Sequence, residues 1–275
     1  EDPTTGSTLY TAGVRAGLSG GAVYSNYRHH LVFEDLVADE TAHWNGGYGI
    51  RVQGSTDVTV RNCEVRRGGK HHIGVINATD VVVEGCRTAV GMPDMWFGGA
   101  TALVAYSDHT RSDDRSVWRD CTVEDYPAYL GAFYTHGPGV GSIVLEDMTV
   151  RGGWVTVPTH GGQTVEIRGG LYENTDLKCT GGGRKVVDGA TLTHGRIELH
   201  GPDGLVQNCL VLGGYQPYGA VQFNDGNGLA RFNTIVCQGG SGVGSYYGAD
   251  VLEAYGNLVV GAGYGIRAKR VGQIE

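Results

Sequence analysis

Three short stretches of this chain hold side chains able to move protons beside a negative charge. They are Lys70, His71 and His72 in "GGKHHIG", Tyr106 and Asp108 in "YSDHT", and Tyr134 and His136 in "AFYTHGPG". A base, a donor and a cation are what a reaction needs when it withdraws a proton next to a carboxylate and expels an oxygen. His160, Lys178, Arg196 and Glu198 extend the set, and Trp96 and Trp154 offer rings for stacking on a sugar face. Glycoside hydrolysis asks for something else, two carboxyl groups roughly 5 to 9.5 Å apart. The candidates for that role, Asp94, Asp108 and Glu198, are scattered along the sequence rather than paired.

Residues so far apart need a regular framework to gather them, and internal repetition supplies one. Ten segments, among them "VRNCEVRRG", "WRDCTVEDY" and "VQNCLVLGG", share a pattern. Each has an apolar residue, a variable one, then Asp, Asn or Gly, then a small or apolar residue. Those last residues are Leu36, Cys63, Cys86, Cys121, Met148, Gly170, Ala190, Cys209, Thr234 and Leu258, spaced by 27, 23, 35, 27, 22, 20, 19, 25 and 24. A mean near 25 falls inside the range of roughly 20 to 50 residues expected of solenoids. Glycine, at 48 of 275 residues against 7 prolines, provides many tight corners between short strands. No stretch keeps a 3.6-residue period, which excludes helical repeats, and the signature of leucine-rich repeats is absent.

A second register runs parallel to the first, in "GIRV", "HIGV", "ALVA", "WVTV", "DLKC", "RIEL", "AVQF" and "GIRA". A period of two points Ile50, Ile73, Leu103, Val155, Leu177, Ile197, Val221 and Ile266 inward. The same alternation points His72, Trp154 and Arg196 outward at the strand start. Next comes an outward column of Arg51, Lys178, Glu198, Gln222 and Arg267, and at the strand end Tyr106, Asp108, Tyr134, His136, His160 and His200. Stacked coils turn these into columns on one face. The 35-residue step from Cys86 to Cys121 carries the longest insertion, which is expected to border that face.

These motifs resemble the right-handed parallel β-helices of the pectate-lyase-like superfamily over residues 30–270. The resemblance implies an all-β solenoid of about ten coils, a single domain over 1–275. It also brings the polysaccharide lyases, glycoside hydrolases, epimerases and tailspikes of that superfamily into view. The residue types on the face favour a polysaccharide lyase cleaving a uronic-acid-containing glycan by β-elimination. The alternatives are a glycoside hydrolase on the same fold and a non-catalytic, glycan-binding or adhesive solenoid. The expected roles are His72 as base, Tyr134 as acid (or the two exchanged), and Lys70 or His136 as neutraliser of the carboxylate. His71, Trp96, Tyr106, Asp108, Trp154, His160, Lys178, Arg196 and Glu198 are expected to bind the substrate.

Other classes recede. A net charge of −8 argues against a nucleic-acid binder, and no apolar stretch approaches the length of a membrane span. Cys63, Cys86, Cys121 and Cys209 share one inward slot, so they read as stacked free thiols rather than a disulfide framework. No C-x-x-C occurs, which leaves no cysteine zinc site. No cofactor is required, with calcium at Asp113 and Asp114 the lesser alternative to a solvated loop. A polysaccharide or oligosaccharide partner implies a secreted or periplasmic location, and the ends "EDPTTG" and "RVGQIE" read as cuts.

Overall fold

The computed structural model describes residues 21–39, 47–66, 70–89, 101–107, 114–137, 140–159, 163–213, 219–245, 251–268 and 273–274. These residues form strands and turns without helix, so none builds a helix long and apolar enough to cross a membrane. The fold is an all-β solenoid. Strands pair in parallel from coil to coil, as Tyr48–Gln53 does with His71–Ile76, and that strand with Thr101–Tyr106. One array of 11 such strands runs from His29–Glu34 to Gln273–Ile274. Two further arrays complete each coil, joined where the long strands Thr122–His136 and Thr149–Thr159 turn the corner between them.

Ile50, Ile73, Leu103, Phe133, Val155, Leu177, Ile197, Val221 and Val243 stack in register along the interior, and all are fully buried. Each contributes about 1.5 to 3 kcal/mol through its burial. Ile266 is the exception to the inward expectation. It is 48% exposed, because its strand Tyr264–Ala268 pairs only with Ser241–Ser245 among the described residues.

The Asp, Asn or Gly of each repeat has a definite task. Asp35, Asn62, Gly85, Asp120, Asp147, Gly169, Gly189, Asn208 and Gly256 turn a corner with φ between 48° and 73°. Glycine adopts that left-handed conformation freely, and Asn and Asp tolerate it better than bulkier residues do. Phe232 holds the same corner at φ 57°, in a conformation that costs a bulky side chain about 1 to 2 kcal/mol.

The inward slot after the corner holds Cys63, Cys86, Cys121, Met148, Ala190 and Cys209, all buried. The expectation for its last two members is corrected. Thr234 pairs with Leu210, the residue after Cys209, and Leu258 pairs with Thr234, so the slot belongs to Asn233 and Asn257. In these coils the polar residue of the motif has moved into the slot itself, and matching on Asn slips the register by one. All six cysteines are free and buried. Cys63 and Cys209 direct their thiols at the carbonyls of Arg61 (3.2 Å) and Gln207 (3.1 Å). Burial pushes the Cys179 and Cys209 thiols up to about 12, so they remain protonated.

Outside, the coils carry ladders of charge. Glu34, Arg61, Glu84, Arg119, Glu146, Arg168 and Asp188 occupy one register position on successive coils. Glu64, Arg87, Glu124, Arg151 and Glu173 form a second alternating row, with Arg151 3.2 Å from Glu124 and 2.7 Å from Glu173. Arg66, from the basic stretch that leads into Lys70, pairs with Glu64 at 2.5 Å. It serves the framework rather than the site.

Candidate functional site

The array that begins with Gly21–Asn26 and runs through Tyr48–Gln53 to Tyr264–Ala268 presents an open groove. Its floor follows one outward column: Arg51, Gly74, Val104, Tyr134, Thr156, Lys178 and Glu198 on successive coils. Two cavities lie along it and share Tyr134 as a wall. One, of about 450 Å³, is lined by Tyr48, Arg51, Lys70, His71, Ile76, Val104, Tyr106, Tyr134 and His136. The other, of about 470 Å³, is lined by Thr101, Tyr134, Trp154, Thr156, Asp176, Lys178, Arg196 and Glu198.

Nine of the expected residues are therefore brought together: Lys70, His71, Tyr106, Tyr134, His136, Trp154, Lys178, Arg196 and Glu198. Trp96, Asp108 and His160 lie outside the described residues, as do Asp94 and Asp113.

His72 is the correction. It was expected to face outward as the base, yet it is fully buried, edge-on to Tyr126 with ring centroids 5.6 Å apart. The cause is one extra residue in the early coils. Gly131 pairs with Trp154 and Phe133 with Val155, so Ala132 has no counterpart and turns inward. His72 and Ala102 sit at the same point, two residues past Lys70 and just after Thr101 respectively, and both are buried. The residue in the outward column with Trp154 is thus His71, paired with Tyr48 and Thr101. Neither ring nitrogen of His72 has a hydrogen-bond partner, and burial lowers its pKa to about 4. It stays neutral and out of reach of the groove.

The centre of the site is a set of rings and hydrogen bonds around Tyr134. Its hydroxyl lies 3.4 Å from Nδ1 of His136. His136 stacks on Tyr106, with centroids 5.3 Å apart and planes 20° from parallel. Trp154 meets Tyr134 edge-on at 5.5 Å. Upstream, the Arg51 guanidinium lies over the rings of Tyr48 and Tyr24, at 5.0 and 5.3 Å. Gly74 makes this arrangement possible, since a Cβ there would come within 2.4 Å of the Tyr48 ring. His71 packs against Tyr48 at 5.0 Å, and burial, aided by the charge of Lys70, holds its pKa down at about 3.

Downstream the groove is charged but balanced. Arg196 reaches Asp176 at 3.2 Å and Glu198 at 3.1 Å, and Lys178 reaches Glu198 at 3.3 Å. His200 holds the same carboxylate at 2.5 Å. Burial alone would raise the Glu198 pKa, but the His200 hydrogen bond and the two cations outweigh it and bring it to about 2. Glu198 is accordingly a fixed anion near neutral pH. Tyr48 and Asp176 were not among the expected site residues. Each could have been found at the head of its recurring strand: Tyr48 stands just before "GIRV" as His71 does before "HIGV", and Asp176 opens "DLKC" as Trp154 opens "WVTV".

Comparison with known proteins agrees with this architecture. No curated protein and no solved structure matches the chain. The family model described as the right handed beta helix region matches residues 6–169, more than half of the chain. With its parallel coils, at the level of the pectate-lyase-like superfamily, the chain belongs to this right-handed β-helix family.

Proposed function

We propose that the protein is a polysaccharide lyase that cleaves a uronic-acid-containing glycan by β-elimination at Tyr134 and His136. The observation that carries this reading is the 3.4 Å contact between the Tyr134 hydroxyl and His136, beside a cavity lined by Lys70 and Arg51. A uronate in that cavity has its carboxylate neutralised by Lys70, which acidifies the proton on C5. His136 withdraws that proton, the electron pair of the C–H bond forms the C4–C5 double bond, and the C4–O bond breaks. Tyr134 protonates the departing oxygen, and its contact with His136 returns the proton for the next cycle. His136 thus takes the part first expected of His72. A polysaccharide substrate implies a secreted or periplasmic protein.

One observation favours a second reading. Asp176 and Glu198 line one cavity, which brings together the carboxyl pair that hydrolysis requires. Against it, Glu198 is held near pKa 2 and does not supply a proton near neutral pH. A panel of uronate-containing and neutral polysaccharides tests both. A lyase yields products whose conjugated double bond absorbs ultraviolet light, together with new reducing ends. Reducing ends without that absorbance would replace the lyase with a hydrolase, and neither product, with glycan retained, would make this a binding solenoid.

A further inference from the structure

The two halves of the groove differ in charge. Among the described residues, the cavity upstream of Tyr134 is lined by Arg51 and Lys70 and by no carboxylate. Arg51 Nε is buried without a hydrogen-bond partner. Coils are about 4.8 Å apart, so the rung of Lys70 lies two steps, about 10 Å, from that of Tyr134, and Arg51 one step further. Lysine and tyrosine side chains close the first gap from both sides, around one sugar ring lying over Gly74 and Val104. Arg51 then adds a second positive charge at that end of the cavity.

Downstream of Tyr134 the cations are already matched. Lys178 and Arg196 are bound by Asp176 and Glu198 at 3.1 to 3.3 Å, and Trp154 supplies an aromatic wall. A second uronate there would face two fixed carboxylates. A neutral sugar would instead find a ring to stack on and paired charges that donate to and accept from its hydroxyls. We propose that the groove is built for a heteroglycan in which the uronate held on the Lys70 side of Tyr134 carries, glycosidically linked to its O4, a neutral sugar that lies on the Trp154 side. This rests on the lyase reading and adds the order of the sugars: the unsaturated uronate stays on the Lys70 side and the neutral sugar departs with the new reducing end.

The test pairs cleavage with binding, on homopolymeric uronans and on glycans alternating uronate with neutral hexose. Retardation in native gels containing each glycan measures binding, and ultraviolet absorbance measures cleavage. The expected result is at least about ten-fold tighter binding of, and faster cleavage on, the alternating glycan, with a neutral sugar at the reducing end of the product. Glu198→Gln removes one negative charge while keeping the shape, and it should move the preference toward the homopolymer by several-fold. Equal or better binding of homopolyuronates by the native protein would overturn the inference, as would a uronate at the new reducing end or no binding of either glycan. Selective binding without any double bond formed would leave the sugar order standing and remove the lyase reading instead.

Discussion

His72 illustrates what a single residue contributes when it is buried instead of displayed. Its neutral ring titrates near 4, against about 6.5 in the unfolded chain. Below pH 6.5 the unfolded state therefore takes up a proton that the native state refuses, and stability falls until about pH 4. His71, lowered to about 3, acts in the same sense. Glu198 acts lower still, its contribution being lost as the pH falls from about 4.5 toward 2. His72→Phe should flatten the melting temperature against pH between 6.5 and 4, gaining roughly 3 kcal/mol over the parent at the acid end. Parallel curves for the two proteins would show that His72 is not the group responsible. The residues that gather on the groove behave differently. Tyr134→Phe and His136→Ala should each reduce turnover by about 10² to 10⁴-fold on a cleaved uronan, with little change in melting temperature. A full rate in either would take that residue out of the chemistry. Tyr134, Lys178 and Glu198 could be assigned to the face from the sequence because alternation fixes direction once a coil is in register. His72 could not, because one inserted residue reverses direction and leaves no mark in composition.

At the scale of the strand and its corner, the repeat was legible wherever the corner residue was followed by a small apolar one. It failed at Asn233 and Asn257, where the polar residue is itself the buried one. Those two side chains do the work of backbone. Asn233 accepts from the Cys209 amide at 2.9 Å and donates to the Val206 carbonyl at 3.0 Å, and Asn257 accepts from the Asn233 amide at 3.0 Å. Truncating Asn233 to Ala leaves the Cys209 amide buried without that partner, and should cost about 2 to 3 kcal/mol in chemical denaturation. A loss under about 0.5 kcal/mol would mean that the ladder of asparagines is decoration. Lys185 plays a similar part from the opposite corner. Fully buried, it donates to the carbonyls of Gly181 at 2.7 Å and Pro202 at 3.4 Å, tying one coil to the next. Nothing in the pattern of the sequence marks that lysine as internal, because its neighbours alternate as an ordinary strand.

Across the molecule, burial and redox chemistry are joined. Six thiols lie inside the stack and none is bridged. The folded protein should leave a thiol-reactive chromogen uncoloured over the time in which six equivalents react after denaturation. Rapid reaction of even one thiol in the native state would show that a coil opens on that timescale. The charged rows belong to this scale too. Single surface pairs contribute at most about 1 kcal/mol each, so the rows add little to stability one by one. Their order matters more than their strength. Because Glu34, Arg61, Glu84, Arg119 and Glu146 alternate coil by coil, losing the coil of Glu84 would set Arg61 against Arg119. Losing the coils of both Glu84 and Arg119 would set Arg61 against Glu146 and keep every contact attractive. The solenoid from Glu34 to Asp188 therefore carries a parity rule: genetic gain or loss of coils there is tolerated in pairs and penalised singly, and a version of this protein shortened or lengthened in that stretch should be built two coils at a time.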